Sequence, residues 1–291
     1  MLRRVAVIGL GLIGGSMGMA LRQAKPGQTE VIGYVRRPEA ARKVLDMGAA
    51  DRVEESLASA VDRVDVIILA TPVLAVEEIL QQIGPHLPSG CLVTDVASTK
   101  ATVMKWAEEY LPPTVDFIGG HPMAGKEMSG IDVAEAGLFQ GCTYCLVPGK
   151  DASPASVQRM VDLANELGAN PLFITASEHD KAVAGISHFP LVLSSALVNT
   201  TTRSSSWPHM SKLAATGYRD LTRLASQHPR MNRDICVTNR ENIVGWIDLF
   251  MEEMGRFRRI VAEGSEEEVE QAFVQAREAR QRWLEDHAKN D

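Results

Sequence analysis

The sequence predicts an α/β protein, with a doubly wound sheet domain over residues 1–175 followed by an all-helical domain over residues 176–291. Three observations predict it. Short apolar runs rich in Val and Ile alternate with helical patterns as far as Thr175. These runs are apolar at nearly every position rather than at alternate ones, which suits parallel strands covered on both faces by helices. After Thr175 no β-branched run of similar strength recurs, and the apolar spacing becomes helical. A length of 291 residues also fits two domains, because single cores rarely grow past about 250 residues.

In chain order, the strand candidates are RRVAVIG, EVIGYV, VDVIILATP, CLVTDV, VDFIGGHP, CTYCLVP and PLFIT. The helix candidates between them are Leu12–Ala24, Pro38–Met47, Leu74–Ile83, Lys100–Tyr110 and Pro154–Leu167. Strand, helix, strand repeats of this length are the units of a Rossmann-type doubly wound sheet. Further on, Asp180–Thr202 reads as one long, mostly apolar helix, kinked or functionally interrupted at Pro190. A helix apolar on more than one face suits a bundle spine or a subunit interface, so a homodimer is expected. Ser265 and Glu268 have capping-box spacing ahead of a charged C-terminal helix.

Composition narrows the function classes. Apolar residues at 45% and charged residues at 23% are ordinary for a globular chain. A net charge of −7 weighs against a nucleic-acid partner and means that an anionic ligand needs a local cationic pocket. Four cysteines, Cys91, Cys142, Cys145 and Cys236, are too few for a disulfide framework and fit a reducing, cytoplasmic compartment. The apolar start of the chain contains glycines and lacks a small-residue cleavage site, so it reads as a first buried strand rather than a signal peptide. No stretch reaches the roughly 18 to 20 uninterrupted apolar residues of a membrane span, and no membrane partner is expected.

The segment VAVIGLGLIGGS places Gly9, Gly11 and Gly14 in a G-x-G-x-x-G arrangement after a strand and at the start of a helix. Gly9 permits the tight turn, Gly11 lets the backbone approach a pyrophosphate, and Gly14 lets helix and strand pack closely. The helix start, Leu12 and Ile13 included, offers free N–H groups and the positive dipole end to phosphate. Ala70, Thr71 and Pro72 close another strand with small residues across which a dinucleotide can lie. At the end of the second strand the acid that would hold a ribose 2′-hydroxyl is replaced by Val35, and Arg36 and Arg37 follow. That pair can neutralise a 2′-phosphate, so NADP is favoured over NAD; solvated surface arginines are the alternative.

Three further segments set polar residues beside apolar elements: TDVASTK, FIGGHPMAGKEMSG and GISHFPLV. Ligands of open α/β sheets bind beyond the carboxyl ends of strands, where Ser98 and His121 would project and meet over a nicotinamide. Gly119, Gly120 and Gly125 around HPMA suggest a loop held close to a ligand.

The motifs GLGLIGGS, DVASTK, GGHPMAGKEMSG, SHFP and GYRDLTRLASQHPRMNRDI stand in an order and spacing that resemble the prephenate/arogenate dehydrogenase family over nearly the whole chain. The resemblance implies a Rossmann domain, a helical dimer-forming domain and an active site in the cleft between them. It implies oxidation of a dicarboxylate cyclohexadienol, prephenate or arogenate, by NADP or NAD, followed by decarboxylation in tyrosine biosynthesis. His121 is then the base that takes the ring-hydroxyl proton, a task that suits a neutral imidazole, and Ser98 bonds both that histidine and the hydroxyl. Arg223 binds a substrate carboxylate. Arg219, Asp220 and Glu127 match polar gating positions, and His188 matches a second active-site histidine. Gln227 occupies a position linked to substrate discrimination, where the lack of an acid leans towards prephenate. No metal is implied.

Other features are read more simply. Cys142 and Cys145 form C-x-x-C within one strand with no second pair, and read as core. His86, His179, His209, His228 and His287 show no metal-ligand spacing and read as surface or loop residues. Met17, Met19 and Met104 read as core filling, and Glu266–Glu268 as a favourable helix start. The competing functions are a β-hydroxyacid-type dehydrogenase, which relies on a lysine motif this chain lacks, and a nonenzymatic NAD(P)-binding sensor, which has no use for Ser98, His121 and Arg223 together.

Overall fold

The computed structural model describes residues 3–288; the side chain of His287, and with it the surface or loop reading of that residue, lies outside the described part. Chain contacts divide the protein into two compact units, Met1–Arg240 and Glu241–Asp291.

The first unit begins with β1 (Arg3–Ile8), α1 (Leu12–Ala24), β2 (Thr29–Tyr34), α2 (Glu39–Asp46), β3 (Arg52–Glu54) and α3 (Leu57–Ala60). It continues with β4 (Val66–Leu69), α4 (Val73–Ile83), β5 (Leu92–Asp95), α5 (Ala101–Tyr110), β6 (Asp116–Pro122), β7 (Thr143–Pro148), α6 (Pro154–Glu166) and β8 (Asn170–Phe173). The eight strands lie in one sheet, ordered β3-β2-β1-β4-β5-β6-β7-β8. Side chains alternate between its faces, so Val5 and Val7 enter one buried cluster while Ala6 and Ile8 enter the other. Both faces are therefore core, which is why these strands lack a polar side. Cys145 is buried and Cys142 packs against the first cluster.

One feature departs from a wholly parallel sheet: β7 runs antiparallel to β6, with His121 opposite Cys145. The connection between them holds only a short 3-10 turn, Ile131–Val133. A parallel return needs a crossover of a dozen or more residues, usually a helix, and without one the chain doubles back.

After β8 come α7 (Ala176–Val183), α8 (Phe189–Thr202), α9 (Trp207–Leu213), α10 (Thr216–Thr222) and α11 (Pro229–Thr238). Two details correct the expected Asp180–Thr202 helix. A capping box between Thr175 and Glu178 starts it at Ala176, and a π turn over Ala184–His188 interrupts it just before Pro190. Proline offers no N–H to the turn before it, and the wider turn accommodates the loss. By length and composition Ala176–Thr202 is long and apolar enough to cross a membrane, although no uninterrupted apolar run occurs. Its polar members His179, Asp180, His188 and Ser194 are buried, and three of them build the site described below.

The second unit holds α12 (Arg240–Glu263), apart from its first residue, and α13 (Glu266–Ala288). Ser265 Oγ accepts from Glu268 N at 3.3 Å and caps α13. Phe257 and Phe273 meet edge to face at 5.8 Å, whereas Leu249, Met251, Val261 and Trp283 are exposed.

Candidate active site

The first six strands of the sheet reverse direction of winding between β1 and β4, and open α/β sheets bind ligands beyond the carboxyl ends of strands at such a switch point. Gly9, directly after β1, has φ +96°, and an added Cβ there would lie 2.7 Å from the Ala70 carbonyl. At Gly14 a Cβ would lie 2.1 Å from the Gly9 carbonyl, so only glycine lets α1 come this close to the strand end. Gly11 faces open space and caps α1 with no side-chain bond, which leaves the N–H groups at the start of α1, around Leu12 and Ile13, free for an anion.

Gly9 N donates to Tyr34 O at 2.9 Å and Ala70 N to Ile8 O at 2.8 Å, so the ends of β1, β2 and β4 converge. Thr71 Oγ1 is buried without a partner among the described residues, and Pro72 caps α4. Arg36 and Arg37 follow β2, exposed and without an ion pair among the described residues. An open glycine turn, a free helix start and an orphan hydroxyl on one strand edge fit a dinucleotide.

Two strands further along, Ser98 lies in the β5–α5 loop and His121 near the end of β6. The buried pair Asp95–Lys100 fixes both segments. Asp95 Oδ2 accepts from Lys100 Nζ and from Ala97 N at 2.9 Å, while its Oδ1 accepts from Gly120 N at 3.1 Å. Lys100 Nζ also donates to Gly120 O at 2.6 Å. The Ser98 loop and the residue before His121 thus share one clamp. Burial pushes the Lys100 ammonium down, and Asp95 opposes that push. Gly119 and Gly120 belong to the strand rather than to a loop, which corrects that expectation: strand β7 and the β5 carboxyl end press against them.

His121 Nδ1 lies 2.9 Å from His179 Nε2, and His179 Nδ1 lies 2.8 Å from Asp180 Oδ1. His179 is 1% exposed and Asp180 2%. The reading of His179 as a surface or loop residue is therefore wrong: the helix start at Ala176 turns it inward onto β6. His86, His209 and His228 are exposed as read. Burial, then the neighbouring charges of His179, Lys100 and His188, hold His121 well below the usual imidazole range. His188 lies in the π turn, with Nδ1 3.1 Å from Asn239 Nδ2 and Nε2 unpartnered among the described residues. Burial pushes it down to about 4, against the pull of Asp180, with His179 adding to the push and the Ser98 carbonyl opposing it.

Arg223 is the C-cap of α10 and opens a 3-10 turn, Arg223–Ser226. Ser194 Oγ on α8 accepts from Ala225 N at 3.0 Å and anchors that turn. The guanidinium pairs with Glu127, in the loop six residues beyond His121. The structure thus brings Arg223 to the HPMAGKE loop. Arg219 and Asp220 stand exposed on α10 without an ion pair among the described residues, and Gln227 is half-buried just after the 3-10 turn. No group of three metal-ligating side chains occurs among the described residues.

Residues 17–172 match the family model described as prephenate dehydrogenase, nucleotide-binding domain, and residues 175–275 match prephenate dehydrogenase, dimerization domain. The chain is 34% identical to a prephenate dehydrogenase of Bacillus subtilis, over 95% of this chain and 75% of that protein. It resembles the crystal structure of prephenate dehydrogenase from A. aeolicus in complex with hydroxyphenyl propionate and NAD+, with a TM-score of 0.90 and 28% identity, covering 97% and 98% of the two chains. For a Synechocystis arogenate dehydrogenase structure the values are 0.82, 27%, 96% and 99%.

Proposed function

The chain belongs to the prephenate dehydrogenase family, and from that premise we propose that it oxidises prephenate to 4-hydroxyphenylpyruvate and CO2 in tyrosine biosynthesis, or arogenate to tyrosine. The observation that carries this reading is a histidine kept neutral at the carboxyl end of β6, on the sheet whose switch point bears the glycine turn. Bound nicotinamide supplies the hydride acceptor. His121 accepts the ring-hydroxyl proton, a task open to an imidazole that is uncharged at neutral pH. Ser98 orients that ring and the hydroxyl. With the ketone formed, the ring carboxylate departs as CO2 and aromatisation drives the step.

Arg223 takes a substrate carboxylate in a charge-assisted bond, and Glu127 holds the guanidinium until substrate arrives. Arg219 and Asp220 line the entrance, His188 adds a donor, and Gln227 presents no carboxylate to an amino group, which favours prephenate. Arg36 and Arg37, with no acid at Val35, favour NADP over NAD. Functionally the chain divides near Thr175 into a nucleotide domain, 1–175, and a substrate and dimerisation domain, 176–291. It acts as a homodimer, a reading supported by the dimerization-domain match, and works in the cytoplasm.

Purified protein incubated with prephenate, arogenate or a β-hydroxyacid, each with NAD or NADP, tests the reading by the absorbance of reduced nicotinamide. Turnover is expected with prephenate above arogenate, and with NADP above NAD. Turnover with a β-hydroxyacid alone overturns it. His121→Asn should lower kcat by about 10²- to 10⁴-fold, the usual share of general base catalysis, with dinucleotide affinity kept.

A further inference from the structure

We propose that His179, anchored by Asp180, is the positioning residue that fixes the tautomer of His121 and leaves the His121 Nε2 lone pair for the substrate. The inference rests on the reading of His121 as the base.

Asp180 anchors the network at the start of α5. Its Oδ1 accepts from Lys100 N at 2.7 Å and its Oδ2 from Ala101 N at 2.9 Å, at the start of α5. With both oxygens already accepting backbone N–H bonds, the carboxylate presents only lone pairs to a further partner. The 2.8 Å contact from His179 Nδ1 must therefore be a donated N–H. A neutral imidazole carries one proton, so His179 Nε2 presents a lone pair. That lone pair lies 2.9 Å from His121 Nδ1, which must donate in turn. His121 is itself kept neutral, with its single proton spent on His179, and Nε2 is left as the only basic atom of its ring.

Several features make this assignment rigid. Both partners are buried, so water does not compete for these bonds. Asn239 Nδ2 donates to the Asp180 carbonyl at 2.8 Å and steadies the backbone. The ring centroids of His121 and His179 lie 5.1 Å apart with 69° between planes, a separation that fits two rings joined nitrogen to nitrogen, with the twist taken up about the N–H···N axis. When Nε2 gains the substrate proton, the Nδ1–H···Nε2 bond becomes charge-assisted, with the Asp180 carboxylate one ring away to balance the new charge. A cationic His179 would instead donate from Nε2, forcing the His121 proton onto Nε2 and removing the base.

The histidine tautomers are read directly from long-range ¹H–¹⁵N correlations of ¹⁵N-histidine-labelled protein, which separate a protonated from an unprotonated ring nitrogen. His121 is expected as the Nδ1–H form; an Nε2–H form in the wild-type protein overturns the proposal without any variant. His179→Ala should lower kcat about 10- to 100-fold, the size of loss that follows when the partner orienting a metal-bound histidine is removed, with dinucleotide KM unchanged. His179→Gln, whose Oε1 can stand where Nε2 stood and accept from His121 Nδ1–H, should recover kcat to within a few-fold and keep the Nδ1–H tautomer. Wild-type kcat in His179→Ala sinks the positioning role alone, provided His121→Asn is inactive; an active His121→Asn sinks the base itself.

Discussion

Around His121 every polar partner is buried and bonded more than once, whereas around Arg223 the partners are exposed and joined once. Asp95, Lys100, His179 and Asp180 make nine hydrogen bonds and contacts among themselves, to the His121 ring and to backbone around β6 and α5, counting the anchor from Asn239. Arg223 and Glu127 are 58% and 42% exposed and hold each other through a single pair. The difference separates two jobs. A proton acceptor must be placed before substrate arrives, since misplacement by about 1 Å can cost 10²-fold in rate. A carboxylate receptor has to give up its resident partner, and a solvated ion pair worth about 0 to 1 kcal/mol is easily exchanged.

Removing one member of the buried pair gives the strongest test of that contrast. Lys100→Met should destabilise the fold by about 3 to 5 kcal/mol, because Asp95 is left buried without its cation. At about 2 to 4 °C per kcal/mol, the melting temperature should fall by roughly 6 to 20 °C. Asp95→Asn combined with Lys100→Met should recover part of the loss, as a neutral pair leaves no unpaired charge. An unchanged melting temperature in Lys100→Met means that the clamp contributes nothing and the two ends do not differ.

Much of this architecture was readable in advance, and the parts that were not share a cause. Helix α1 runs from Leu12 to Ala24 as its spacing predicts, and the strong strands lie within three residues of their apolar runs at each end because burial on both faces writes itself into local sequence. Strand β3, with the sequence RVE, and the four-residue helix α3 carry too little apolar pattern to announce themselves. The antiparallel turn into β7 depends on what a 20-residue connection does not form, which no local pattern records.

At the site, Ser98 and His121 could be placed at strand ends from sequence alone. His179 could not be tied to His121, since the two are 58 positions apart, and a His-Asp dipeptide at a helix start looks like any polar cap. The one local signal is that Asp95 closes a buried strand and Lys100 follows five residues on, where a charge needs a partner.

The exposed end responds differently. Arg223→Ala should leave the melting temperature within about 4 °C, as expected for a solvated ion pair. It should raise the substrate KM by about 10- to 100-fold with a smaller change in kcat, which is the signature of lost ground-state binding. Glu127→Gln frees the guanidinium and should change KM by only a few-fold. A stability loss in Arg223→Ala as large as that in Lys100→Met would erase the distinction between the two ends, and an unchanged KM would remove Arg223 from the substrate.

Acid titration gives the smallest effect near neutrality and separates the ends without substitution. His121 and His188 both have folded-state affinities for protons below the ordinary value near 6.5, His188 down to about 4. The unfolded chain therefore takes up protons that the folded chain refuses, and stability present above about pH 6.5 is lost as pH falls towards those depressed values. Between pH 7 and pH 6 the loss should be about 1 kcal/mol. Below pH 6 the loss from each histidine steepens towards one proton per pH unit, and for His188 it levels off near its folded value of about 4. His188→Gln removes one of the refused protons, so urea unfolding followed from pH 7 to pH 5 should give a slope shallower by about one proton. A slope unchanged by that substitution means that His188 titrates alike in both states, and that burial at the base end does not exclude charge as the structure requires.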